Sequence, residues 1–237
     1  MFDLLKNILF VDIETVAKTN TFEELDEDFK KLWTQQVKQS YKELVEKESP
    51  SSLWAKKAAL HPEFGKIITL SMGYLIEENK TLTLKVKTLS GEEADILKNF
   101  ASILALKEEK GSSRFYKLCG HNAKKFDFPY LFRRYLINKL SVPETLNLIG
   151  KKPWESSNID TMELWSSNSY PSLDLLCKLL DIPMKSILEG SQIHEHYYVL
   201  KDQNTINKYC AADVVAVSKV LLKIFEVEVP ISNVVFS

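Results

Sequence analysis

Four consecutive apolar residues, Ile8 to Val11, run directly into Asp12-Ile13-Glu14. An unbroken apolar run of this length marks a strand buried on both faces. On an extended backbone, residues i and i+2 share a face. The two carboxylates therefore project together where the buried run stops, and one divalent ion could be gripped by both. Alone the signal is weak, since chance supplies a D-x-E in roughly one chain of this size, and a solvated strand end is the plain alternative. Position strengthens it: two acids straight after a buried run are badly placed for stability, which favours a functional reason.

The remaining elements follow from periodicity. From Thr21, the residues Phe22, Leu25, Phe29, Leu32, Trp33, Val37, Tyr41 and Leu44 recur at intervals of three and four, with Thr21 and Glu24 as a capping box. One long amphipathic helix is expected, ended by Ser49-Pro50-Ser51-Ser52, with a shorter helix over 53–60. Residues 66–76 and 80–89 are rich in β-formers, the second alternating clearly, and Glu77-Glu78-Asn79 supplies a turn for an antiparallel hairpin. Ser90 and Glu93 then suggest a capping box opening a helix to about Leu106. A strand over 115–119, a helix over 127–140, a short strand over 158–160 and helices over 173–180, 191–197 and 206–227 complete the chain, with Ser172 as the N-cap of the first of those three. This order predicts an α/β fold: a mixed five-stranded sheet with flanking helices and a helical insertion at about 21–60, compatible with the RNase H-like arrangement.

A chain of 237 residues that is 45% hydrophobic can bury one large core, so a single domain over 1–237 is expected. Lysine plus arginine (31) nearly cancels aspartate plus glutamate (32), which excludes the global field that holds long duplexes by phosphate neutralisation. A nucleic-acid substrate would have to be engaged locally. Cys119, Cys177 and Cys210 show no CxxC spacing and read as reduced core residues. With no signal-peptide run and no apolar stretch near eighteen residues, a cytoplasmic protein without membrane insertion is expected.

Two further elements could carry chemistry. In Gly120-His121-Asn122-Ala123-Lys124-Lys125-Phe126-Asp127-Phe128-Pro129-Tyr130, Asp127 could be a helix N-cap or a third metal carboxylate. Asn122 could bond a sugar or base edge, and Lys124 and Lys125 could meet phosphate or be ordinary surface charges. In Tyr209-Cys210-Ala211-Ala212-Asp213, the tyrosine and aspartate lie one helical turn apart on one face. Surface exposure would explain Asp213 most simply, yet its neighbours are apolar, and the alanines suggest close approach to the sheet.

Taken in order, these three elements resemble the exonuclease motifs of the DEDD superfamily in its tyrosine subgroup. The string Asn122 to Tyr130 resembles the proofreading exonuclease domain of family B DNA polymerases. Nearly the whole chain is similar to the stand-alone family described as predicted 3′→5′ exonucleases related to that domain. Further support comes from Phe64 to Ile68, Lys152-Pro153-Trp154, Asp160-Thr161, Leu164-Trp165, Ser172-Leu173, Gly190-Ser191 and Tyr209-Cys210. The expected departure from those polymerases is the absence of a polymerase domain, which sets a proofreading role apart from this reading.

The resemblance implies a two-metal phosphodiester hydrolase, with ions roughly 4 Å apart that generate the nucleophile and offset charge on the leaving oxygen. Asp12 would bridge both ions, Glu14 and Asp213 would complete the one that activates water, and Asp127 would hold the other through water. All-oxygen ligands favour Mg²⁺ or Mn²⁺ over zinc. Tyr209 would orient the water rather than act as a base, given an ordinary pKa near ~10. Thr15 through its backbone, with Asn122 and Phe126, would grip the 3′-terminal nucleotide. The partner expected is a nucleic-acid 3′ end, single-stranded DNA foremost; RNA, or a non-catalytic relative binding nucleic acid or protein, is the alternative.

Other polar groups read as structural. His194 and His196 do not share a helix face and are expected on a loop or exposed surface, not on zinc. Asp160 is expected to bond its neighbours at a strand end, and Asp174 to sit favourably in a first helical turn. The insertion carries eight lysines and eight acids between Lys18 and Leu60 and is no electrostatic clamp. It is expected to pack over the sheet, with a lid or partner-binding helix as the alternative.

Overall fold

The computed structural model describes residues 5–78, 80–106, 114, 115, 117–147, 149, 150, 155–166, 168–183 and 187–237. In chain order its elements are β1 (Ile8–Ala17), α1 (Glu27–Ser40), α2 (Pro50–Lys57), β2 (Gly65–Glu78), β3 (Thr81–Ser90), α3 (Glu93–Leu104), β4 (Lys117–Gly120), α4 (Asp127–Ile137), β5 (Ile159–Asp160), α5 (Thr161–Trp165), α6 (Leu173–Leu179), α7 (Ile193–Tyr198), α8 (Gln203–Ile224) and β6 (Ile231–Phe236). The sheet order is β5-β4-β1-β2-β3-β6. β1 with β2 and β2 with β3 are antiparallel, while β1 with β4, β4 with β5 and β3 with β6 are parallel. The mixed α/β architecture is as expected, with six strands instead of five. The sixth escaped notice because Ser232 and Asn233 interrupt its apolar pattern and it is only half-buried at the sheet edge.

Alternation along β1 explains both of its faces. Leu9, Val11 and Ile13 pack with Ile96, Phe100, Phe128 and Leu131 of α3 and α4. Ile8 and Phe10 pack with Val214, Val217 and Leu221 of α8. Asp12 and Glu14 follow Phe10 at intervals of two, so they face α8. That helix lies close to the sheet because Gly73, opposite Phe10, has no side chain: a Cβ there would sit 2.9 Å from Val214. β1 continues through Ala17 instead of stopping at the acids, and its pairing with β2 shifts between Glu14 and Thr15. This irregularity re-aims the strand beside the two carboxylates.

The insertion differs from the single long helix its periodicity suggests. Phe22–Glu24 forms one 3-10 turn, Leu25 is extended, and α1 starts anew with Asp26 accepting from Phe29 N at 2.8 Å. Thr21 and Glu24 do bond each other, but the Asp26 cap sets the helix start. α1 already ends at Ser40, so the Ser-Pro stretch opens the next helix instead of ending the first: Ser49 caps α2, with Pro50 in its first turn. The apolar residues still converge on one aromatic core, with Trp33 and Trp54 edge to face at 5.2 Å. That core packs on Ala17, and Trp54 donates to Thr19 O at 3.0 Å. The insertion therefore does pack against the sheet, at the end of β1.

The Ser90–Glu93 capping box is also absent, Glu92 being the cap residue. Glu93 instead accepts from Ile67 N, from Arg134 and from Asn138, joining α3, β2 and α4 in a buried ion pair. His194 and His196 lie on α7, not on a loop. His194 bonds Asn20 O at 3.1 Å, while His196 faces Asp202 at 3.6 Å. Lys152-Pro153-Trp154 and the hairpin residue Asn79 lie outside the described residues. Among the described residues, no helix is long and apolar enough to cross a membrane.

Candidate functional site

β4 is short: it pairs with β1 only from Ile8 to Phe10 and ends at Gly120. Beyond Phe10 the β1 edge has no β4 partner, and this lies at the carboxyl ends of the parallel strands, where ligands of open α/β sheets are held. The chain leaves β4 through a tight turn. Gly120 makes it possible, because a Cβ there would meet Ala123 at 2.4 Å, and Asn122 adopts the left-handed conformation (φ 58). Asn122 O then accepts from the amides of Lys125 and Phe126, which leads into α4.

Asp127 is the first residue of α4 and does not cap it; Phe126 occupies the cap position. The Asp127 carboxylate accepts from Ile13 N at 3.3 Å, at the edge of β1 that β4 leaves unpaired. From the sheet, Asp12 and Glu14 bring ligand atoms that lie with Cys210 Sγ within 4.8 Å of one another. From α8, Asp213 and Tyr209 project one turn apart, close enough for each to act on the other electrostatically. The position of α8 is set by polar bonds to the sheet. Asn207 accepts from Thr69 at 3.1 Å and donates to Ser90 at 3.0 Å, and Gln203 donates to Thr69 at 2.7 Å. The Cys210 thiol donates to Asp12 O at 3.4 Å.

The acids repel one another. Asp12 is held well above the ordinary carboxylate range, first by burial and then by Glu14, Asp213 and Asp127. Glu14 is raised by burial, then by Asp213 and Asp127. Burial pushes Asp127 up to about 7, with two backbone bonds opposing it and Asp160 and Asp213 adding to it. Asp213 likewise rises to about 7, by burial and then by Asp174. Asp12 Oδ2 and Asp213 Oδ1 are shielded from solvent without a hydrogen-bond partner. Among the described residues, Asp12 and Glu14 with Cys210 are the group at ligand distance, and Asp127 and Asp213 act on them electrostatically; with two orphaned oxygens, these acids are a donor set that a hard divalent cation would suit. Tyr209 is pushed far above its usual value, by burial and then by Asp213 and Glu14, so its hydroxyl stays protonated.

Thr15 is half-buried, and its hydroxyl is used by Ala59 O at 2.9 Å, so its backbone is the part left for a ligand. Phe126 is half-buried with its ring against Tyr130 at 5.4 Å. Asp160 accepts from the amides of Asn122, Lys124 and Met162, at 2.9, 3.0 and 3.0 Å, and so organises the Asn122 turn and the start of α5 together. Asp174 sits in the first turn of α6 but also acts on Asp213 and Tyr209. Cys210 was expected only as a core residue. Its adjacency to Tyr209 was the available signal, but its closeness to Asp12 depends on how α8 seats on the sheet.

Over 91% of its length and 24% of the other chain's, this chain is similar to the family B DNA polymerase of the hyperthermophilic archaeon Pyrobaculum calidifontis, with a TM-score of 0.54 and 12% identity. The chain thus spans about a quarter of that polymerase, and at this identity the likeness is one of fold. Residues 58–236, more than half of the sequence, match the family described as predicted 3′-5′ exonucleases related to the exonuclease domain of PolB. The chain belongs to that family. The match begins after Asp12 and Glu14, which lie to its N-terminal side. A search of curated proteins finds no match.

Proposed function

We propose that this chain is a divalent-metal-dependent 3′→5′ exonuclease that removes nucleotides from single-stranded DNA, acting as one domain in the cytoplasm. This reading is supported by the closeness of Asp12 to Glu14, by the charge repulsion that both feel from Asp127 and Asp213, and by the buried oxygens of Asp12 and Asp213 that lack partners. Bound Mg²⁺ or Mn²⁺ supplies the acidity that yields hydroxide from water at neutral pH and the positive charge that stabilises a departing oxygen. Asp12 and Glu14 from β1, Asp127 from α4 and Asp213 from α8 are the residues to hold two such ions. Asp12, which feels all three other carboxylates, is suited to be the shared ligand.

Tyr209 stays protonated beside Asp213, so it would orient the attacking water and not remove a proton from it. The backbone at Thr15, the side chain of Asn122 and the ring of Phe126 are assigned to the 3′-terminal nucleotide. Free, buried Cys119, Cys177 and Cys210 suit a reducing compartment. The test is release of 3′-terminal label from single strands in Mg²⁺ or Mn²⁺. Asp12→Ala and Asp213→Ala should each abolish release while keeping the fold by circular dichroism. Full activity in either variant would remove that carboxylate from the reaction centre.

A further inference from the structure

Beside the turn that leads to Asp127, an aromatic ring stands in solvent. Tyr170, in the link between α5 and α6, is 68% exposed, and Lys125 Nζ lies 4.2 Å from its ring centroid. Lys125 is two residues from Asp127 in sequence. Its neighbour Lys124 is paired with Glu163 at 2.7 Å, whereas Lys125 makes no ion pair among the described residues. The backbone next to the ring is tied to the Asn122 turn: the Pro171 carbonyl accepts from His121 Nε2 at 2.9 Å, and His121 Nδ1 lies 2.9 Å from Thr161 Oγ1. Asp160 binds the amides of Asn122 and Met162, so the turn leading to Asp127 and the start of α5 form one unit.

A ring held open by its backbone has a face free to stack, and a lysine beside it can meet a phosphate. That pairing of π-face and cation is what single-stranded nucleic acid uses, and it is indifferent to sequence. Resting on the exonuclease reading of the site, we propose that Tyr170 and Lys125 form a stacking platform for a nucleotide of the single strand other than the one being removed. The anchoring through His121 and Asp160 keeps the platform at a set offset from Asp127, so it acts on strand capture and not on bond cleavage.

The test compares an oligothymidylate of about ten nucleotides with the p-nitrophenyl ester of thymidine 5′-monophosphate, which is too short to reach beyond the reaction centre. Tyr170→Ala should raise KM for the oligonucleotide about tenfold, in the range of one lost stack, leaving its kcat and both constants for the ester unchanged. Tyr170→Phe should behave as wild type. Lys125→Ala should weaken the salt dependence of oligonucleotide binding by a log–log slope of about 0.7, the share of one phosphate contact. An unchanged KM in Tyr170→Ala, or an equal loss on the ester, overturns the platform. Anisotropy of the labelled oligonucleotide in Ca²⁺ makes the same comparison without turnover. An inactive wild type would therefore defeat the exonuclease reading alone, and the platform would stand or fall on whether Tyr170→Ala loses binding.

Discussion

The amide of Ile13 donates to the carboxylate of Asp127 at 3.3 Å, joining residues 114 positions apart. It fastens the start of α4 to the free edge of β1. Asp127→Asn retains an acceptor for this amide but loses the charge; Asp127→Ala loses both. Both variants should lose more than about a hundredfold in kcat, beyond the usual effect of removing a partner outside the ligand shell. Only the alanine variant should also lower Tm. Kinetics on a labelled single strand, run beside calorimetry, checks this, and near-normal turnover in Asp127→Asn would confine Asp127 to structure.

Tyr209→Phe removes one hydroxyl and leaves the packing against Ile206 and Tyr197 in place. With water less well oriented, kcat should fall on the order of a hundredfold with little change in KM. The alkaline side of the pH profile should be the same in both enzymes, because the wild-type hydroxyl does not ionise in the working range. An alkaline limb that vanishes in the phenylalanine variant would make Tyr209 a titrating group.

The raised carboxylates tie stability to pH. Unfolded, Asp127 and Asp213 ionise near 3.8; folded and metal-free, near about 7. Between those values the folded state keeps protons that the unfolded state has lost, so these groups contribute a loss of stability as pH rises, complete above about 7. Metal-free Asp213→Asn should therefore be more stable than wild type at pH about 8, with the gap closing towards pH 4. Mn²⁺ should raise the wild-type Tm more at the higher pH, since it binds the ionised ligands. Thermal melts with and without chelator read both effects; a wild type more stable than Asp213→Asn at pH about 8 without metal would contradict them.

Away from the site, Glu93 and Arg134 are each about nine-tenths buried and paired. Arg134 also donates to Pro62 O at 2.7 Å, so it carries the loop before β2. Removing one partner strands the other charge, and Glu93→Ala or Arg134→Ala should lose roughly 3–5 kcal/mol by urea denaturation. A loss under about 1 kcal/mol would mean that water reaches the remaining charge.

What was legible in the sequence was what is local. The hairpin of β2 and β3, the buried run of β1, and the pairs Asp12/Glu14 and Tyr209/Asp213 all follow from periods of two or from one helical turn. The strand-end role of Asp160 was legible for the same reason. Contacts set by packing were not. Glu93 read as a cap because its partner Arg134 lies 41 residues away, and Cys210 meets Asp12 only because α8 sits close over Gly73. The break at Leu25 was hidden because both halves of the insertion bury the same aromatic face, so the helical period runs across a point where the backbone is extended. Where Asp127 pointed was equally undecided, its cap and its ligand role being identical in sequence.

The central claim is that the four carboxylates form one metal-dependent centre working from a 3′ end. A single strand labelled at its 5′ end, incubated with the protein in Mg²⁺ or Mn²⁺ and resolved by length over time, tests it most directly. The account predicts a ladder shortening one nucleotide at a time, with nucleoside 5′-monophosphates released and no change when a chelator is present or Asp12 is alanine. Intact strands of both DNA and RNA in both metals, or cuts appearing within the strand, would contradict it.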